Sequence, residues 1–201
     1  MKILRLCKGM KEVSVEDVQG YDLITCLEYP FILSKDILSV PTKGCINAHY
    51  SLLPRYRGRH PIQWALWNGE PIIGVSVHYM DEGIDSGDVI CQESFHIDYN
   101  SGYNSVYKRC KALAINMLGK VVSRINRGER IERVKQDEDK ASYYPMRKPE
   151  DSAIDCIGTD IIEFTRKVNA MSWPMPNAFI ETNTYKLYFE KVRLEWKKGK
   201  S

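Results

Sequence analysis

The chain has no C-x-x-C pair, no apolar run longer than a few residues, no G-x-G-x-x-G pattern and only four histidines. Each absence removes a class of protein. Without a stretch near 18 apolar residues there is no candidate membrane span. The start, MKILRLCKGMKEVSVED, is broken by Arg5 and Lys8 and cannot supply the apolar region of a secretory signal, so a soluble, cytoplasmic chain is expected. The six cysteines (Cys7, Cys26, Cys45, Cys91, Cys110 and Cys156) are scattered and lack a histidine at metal-ligand spacing. They read as reduced thiols, and no metal site is expected. Internal repeats and low-complexity segments are also lacking, and a hydrophobic content of 43% excludes disorder, collagen and coiled coil.

What is present is 201 residues, enough for one domain with a small appendage. Folding at this size removes roughly 70% of the unfolded chain's surface from water, so neither disulfides nor a metal is needed for stability. The net charge of +3 divides unevenly, −4 over residues 1–100 and +7 over 101–201. The basic residues of the second half are interleaved with acids, as in INRGERIERVKQDEDK, which describes a solvated helix face better than a nucleic-acid stripe.

Hydrophobic periodicity divides the chain into alternating elements. YDLITC (21–26), GCINA (44–48), GVSVHYM (74–80) and 89–95 read as strands. In the third, Val75, Val77 and Tyr79 share one face and Ser76, His78 and Met80 the other. PIQWALWN (61–68), with proline at its first position and Gly69 after it, reads as a short helix. From Tyr103 to Val121 apolar residues recur at i, i+3 and i+4, the pattern of an amphipathic helix. Residues 136–153 are polar and contain Pro145 and Pro149, which reads as a surface linker. Beyond it, 160–170 predicts a helix with Ile161, Ile162, Phe164, Thr165 and Val168 inward, and the alternation around Asn183 predicts a terminal hairpin. The division is therefore a core over 1–140 and a linker, helix and hairpin over 141–201.

Chemistry concentrates between Gly44 and Asp88. Asn47 and His49 lie two apart at a strand end, so both side chains point to one side of the carboxyl edge, where open α/β sheets place ligands. Histidine exchanges a proton near neutral pH, and an asparagine amide donates to a developing oxyanion. Alone, N-x-H is a weak signal, and a satisfied structural histidine is the better reading of it. The loop SLLPRYRG follows it at once, and GIDSGD follows a strand some thirty residues later, adding Asp85 as a carboxylate to orient His49. His60, His78 and His96 read as structural, and Trp173 as a packed aromatic.

The stretch INAHYSLLPRYRGRHPIQWAL, with GVSVHYMDEGIDSGDVI after it, closely resembles the folate-dependent formyltransferases, and the likeness extends over roughly 20–192. It implies an α/β fold, a mostly parallel Rossmann-like sheet flanked by helices, and transfer of a formyl group from 10-formyltetrahydrofolate to an amine. By matching position, Asn47 would stabilise the tetrahedral oxyanion, His49 would manage the amine and leaving-group protons, and Asp85 would keep His49 basic. The folate would lie against Phe31, Ile32 and Leu33 and against Asp81, Glu82, Gly83 and Ile84, with Arg59 nearby. A cis Leu53–Pro54 bond is implied as well.

Three acceptors occur among such enzymes: initiator methionyl-tRNA, a nucleotide-linked amino sugar, and phosphoribosyl glycinamide. YRGRHPIQWALWNGE resembles the first two. The tRNA enzymes continue into a sizeable basic β-barrel, whereas here a helix and hairpin follow the linker. The expected acceptor is thus a nucleotide-linked amino sugar, with methionyl-tRNA or another small amine as the alternative and a non-catalytic relative as a third reading. Ala48 and Tyr50 stand where relatives carry a bulkier apolar residue and a proline. Only about twenty residues precede YDLITC, so a sheet shortened by one or two strands is expected, its exposed edge covered in a homodimer.

Overall fold

The computed structural model describes residues 1–155, 159–171 and 176–195. Its elements are β1 (Ile3–Cys7), α1 (Val15–Val18), β2 (Leu23–Leu27), α2 (Lys35–Ser39), β3 (Cys45–His49), β4 (Arg57–Gly58), α3 (Pro61–Asn68), β5 (Ile72–Tyr79), β6 (Val89–His96), α4 (Tyr103–Asn126), β7 (Tyr143–Tyr144), α5 (Ile161–Ala170), β8 (Ala178–Glu181) and β9 (Lys186–Phe189). The main sheet has the order β1-β2-β3-β5-β6. Neighbours β1, β2 and β3 run parallel, while β5 is antiparallel to both β3 and β6. Four of the five strands therefore point one way, and the fold is the expected α/β arrangement with one reversed strand.

Alternation along each strand divides the core between the two faces of the sheet. Leu23, Ile46, Ala48, Val75 and Val77 pack with Val106, Cys110, Ala114, Met117 and Val121 of α4 and with Ile62, Ala65 and Leu66 of α3. Leu6, Ile24, Cys26 and Cys45 face the other way, where Val18 of α1 and Ile37 of α2 cover them. The interleaving of Leu23 with Ile24 is the period of two read from YDLITC. Helix α4 keeps its apolar spacing to Ile125, one turn beyond the predicted end. Ile154, Val168, Ala170, Met171 and Ala178 belong to the same cluster as Ile46 and Val75, so the segments beyond residue 140 share the core of the sheet.

Two expectations are corrected, and one strand is added. Strand β1, which hydrophobic periodicity does not predict, lies in the N-terminal segment and forms the free edge of the sheet. Only Leu6 of that strand is buried, which leaves little periodicity to find. Within α5, Ile161 and Ile162 are 59% and 39% exposed, and the buried residues are Thr165, Val168, Asn169 and Ala170. The first turn is fastened by Asp160, whose carboxylate accepts from the N–H groups of Ile162 and Glu163, so the later turns bear the packing on the core. Residues 136–153, finally, are no surface linker: Gln136, Arg147 and Ser152 are buried, and β7 pairs with β4. They form a strap across the site. Leu53–Pro54 is cis, and the terminal hairpin is present as expected. Trp173 and Cys156 lie outside the described residues.

Candidate active site

Strand β3 ends at His49, and the chain then turns through Ser51–Pro54 into β4. The turn is held at Ser76, whose hydroxyl donates to the Ser51 carbonyl (2.6 Å) and accepts the Leu53 N–H (3.0 Å). This places the Tyr56 carbonyl 2.7 Å from His49 Nε2. A carbonyl can only accept, so that nitrogen carries a proton. The other ring nitrogen, Nδ1, lies 3.5 Å from Asp85 Oδ2.

A second histidine repeats the arrangement. The β3–β5 register sets His78 opposite Asn47. His78 Nδ1 lies 2.8 Å from the Tyr79 carbonyl, and its Nε2 lies 3.5 Å from Asp85 Oδ1. The same Nε2 is 3.3 Å from Asn47 Nδ2, which turns the amide nitrogen of Asn47 towards the ring. One carboxylate is thus shared by two imidazoles: His49 has an acceptor on both sides, while His78 Nε2 faces both the carboxylate and the Asn47 amide nitrogen. Sequence reasoning missed His78 because the pairing is a property of strand register, although its place on one face with Ser76 and Met80 was legible.

Burial alone would raise the pKa of Asp85. His49, the hydrogen bond and charge of His78, and the Gly58 N–H at 2.9 Å overcome it and hold the carboxyl well below the usual range. Gly58 is confined to glycine twice over: its φ is +95°, and a Cβ there would sit 2.5 Å from the Tyr144 carbonyl oxygen. Gly58→Ala is expected to cost about 2 kcal/mol or more, from positive-φ strain plus the displaced β4–β7 pair. A urea-unfolding midpoint unchanged from wild type would refute this.

All the residues expected near a cofactor surround one cavity of about 320 Å³. Phe31, Ile32 and Leu33 form one wall, Asp81, Glu82, Gly83 and Ile84 another, and Arg59, His78 and Asp85 close it. Arg59 donates to the Pro30 carbonyl (3.1 Å), which fixes the rim. Asp81 accepts from the Gly83 N–H and the Ser86 hydroxyl, and Glu82 pairs with Lys35, so both carboxylates shape the loop. Tyr144 and Pro145 of the strap complete the lining, a contribution that linker-like composition conceals. A second cavity, of about 500 Å³, shares Pro30, Gly58 and Arg59 with the first and is lined by Asn47, His49, Tyr50, His60, Gln63, Tyr103 and Asn104. Asn47 and His49 line the second cavity, while His78 and Asp85, which they contact, line the first.

Two cavities thus meet at an amide donor, two imidazoles and a carboxylate, groups that can donate to an oxyanion and exchange protons. The family described as Formyl transferase matches residues 11–122, more than half of the chain, and the chain belongs to that family. Its members are folate-dependent one-carbon transfer enzymes. The chain is 36% identical over 189 residues to a methionyl-tRNA formyltransferase of Citrifermentans bemidjiense, covering 92% of this chain and 59% of that protein. It is 37% identical to one of Syntrophomonas wolfei, over 87% of this chain and 55% of the relative. Among solved structures, a 4-N formyltransferase from Francisella tularensis superposes with a TM-score of 0.77 at 25% identity, covering 90% of this chain and 75% of the other. The chain therefore spans somewhat over half the length of the curated relatives it matches.

Proposed function

We propose that the protein transfers a formyl group from 10-formyltetrahydrofolate to the primary amine of a nucleotide-linked amino sugar. The observation that carries this reading is the junction of the two cavities at Asn47, His49, His78 and Asp85. The 320 Å³ cavity suits a flat heterocycle: Phe31, Ile32 and Ile84 are 37%, 73% and 54% exposed around it, apolar surface that a bound ring would cover. The family uses formyl-tetrahydrofolate, and when bound it supplies a carbonyl carbon open to an amine. Asn47 would donate its second amide hydrogen, the one not turned to His78, to the oxygen where charge develops. With Nε2 already carrying a proton towards the Tyr56 carbonyl, His49 would take the proton that the attacking amine must lose at Nδ1, beside the Asp85 carboxylate, and return it from there to the departing nitrogen. Asp85, ionised and shared by both rings, would hold each in place.

The acceptor cavity supports a hydroxylated substrate. Tyr50, Gln63, Tyr103 and Asn104 offer hydroxyl and amide groups along its wall, and about 500 Å³ lies within the range of small-molecule sites. A second reading, methionyl-tRNA as acceptor, is favoured by the methionyl-tRNA formyltransferases that the chain resembles in sequence. Incubating the protein with 10-formyltetrahydrofolate and dTDP-, UDP- and GDP-linked amino sugars is expected to add one formyl group to one of them by mass spectrometry. Formylation of methionyl-tRNA alone, through binding that weakens steeply with salt, would replace the sugar with RNA. Folate binding without transfer to either would leave a non-catalytic relative.

A further inference from the structure

His60 occupies a strained junction that the site described above leaves unused. Its φ and ψ are 56° and 42°, a left-handed conformation in which residues other than glycine are rare, and Pro61 follows at the start of α3. As the residue before α3 it makes no side-chain cap. Its Nδ1 instead accepts the main-chain N–H of Arg147 at 3.1 Å. That donor is firmly anchored: Arg147 is 4% exposed, with its guanidinium 4.3 Å and 4.4 Å from the ring centres of Trp64 and Trp67. An N–H occupies the Nδ1 lone pair, so a neutral His60 carries its proton on Nε2. Burial, together with the charges of Arg59 and Arg147, lowers its pKa and so favours the neutral ring. Among the described residues Nε2 has no hydrogen-bond partner, and His60 lines the same cavity as Asn47 and His49.

We propose that His60 is a positioning residue for the acceptor, its Nε2–H donating to a sugar hydroxyl or ring oxygen beside the reacting amine. The proposal rests on the reading that this cavity receives the acceptor. It gives the strained backbone a role: the left-handed turn and the Arg147 N–H together fix one tautomer facing the substrate. An uncharged donor also avoids repelling an amine before it loses its proton.

The test compares His60→Phe, which keeps a flat ring but loses both the Nε2–H donor and the Nδ1 acceptor for the Arg147 N–H, with His60→Gln, whose amide can supply both, the tetrahydrofolate Kd and the Nε2 resonance separating the substrate contact from the backbone one. With the amino sugar that wild type formylates, His60→Phe is expected to raise the acceptor KM about tenfold, the factor of one lost neutral hydrogen bond, with kcat changed less than threefold. His60→Gln should recover most of the loss. The calorimetric Kd for tetrahydrofolate should stay within twofold in both. An acceptor KM unmoved in His60→Phe, or a loss that Gln does not restore, overturns the proposal. In the wild-type protein labelled with ¹⁵N-histidine, His60 is expected as the Nε2–H tautomer with its Nε2 resonance moving when the amino sugar is added; the opposite tautomer, or no movement, also overturns it. A wild type that formylates no amino sugar defeats the reading of the cavity itself, and this proposal with it.

Discussion

Replacement of His49 by Gln is expected to lower kcat/KM for formyl transfer by about 10²–10⁴-fold, the usual contribution of a positioned acid–base group. The change is expected to leave the fold intact. The Gln amide can still donate towards the Tyr56 carbonyl that His49 Nε2 faces at 2.7 Å, and Asp85 keeps the Gly58 N–H and His78. What disappears is the group to which the proposed mechanism assigns the amine's proton. A near-wild-type Tm with turnover reduced by two or more orders of magnitude is the expected pair of results, and turnover within tenfold of wild type would remove His49 from the mechanism. The acid limb of the pH profile should not belong to Asp85. Its carboxyl is held below the ordinary value near 3.9, so its ionised form stabilises the fold at all higher pH. That stabilisation is lost only as pH falls through the ordinary value towards the depressed one, below the range in which activity would be measured.

How far the site could be read from sequence depends on which interactions are local. Asn47 and His49 are two apart on one strand, so the pleat alone puts them on the same side. The strands β2, β3, β5 and β6 and the helices α3 and α4 carry regular apolar spacing and were legible for that reason. Reversal of β5 leaves no trace in composition, yet it brings His78 against Asn47. The strap illustrates the opposite failure. Residues 136–153 look like an exposed loop because they are polar, but their polar groups serve as partners for buried ones. Gln136 donates to the carbonyls of Asp85 and Gly87 at 2.8 Å and 2.7 Å and so fastens the loop that carries the carboxylate. A polar residue filling a buried hydrogen-bonding need is indistinguishable in sequence from one that faces water.

Replacement of Arg57 by Met is expected to cost about 3 kcal/mol of stability, because Arg57 is fully buried at the centre of that fastening. Its Nε and Nη2 donate to Gln136 Oε1 at 3.0 Å and 2.8 Å. The guanidinium also grips both oxygens of Glu138 (2.9 Å and 2.7 Å) and the Tyr143 hydroxyl. Met fills comparable volume but leaves the Gln136 carbonyl unpaired in the interior, and that orphaned acceptor dominates the loss. Glu138 contributes little by itself, since its side chain is 62% exposed and can return to water. Glu138→Gln should therefore lower stability by less than about 1 kcal/mol. For a domain of this size about 3 kcal/mol corresponds to a fall in Tm of about 10 °C. Activity should fall as well, by about tenfold below the melting range, because Gln136 would no longer hold the Asp85–Gly87 loop against the two histidines. If Arg57→Met melted with the wild type and kept its kcat, the strap would be a passive cover, and Asp85 would owe its position to Gly58, His49 and His78 alone.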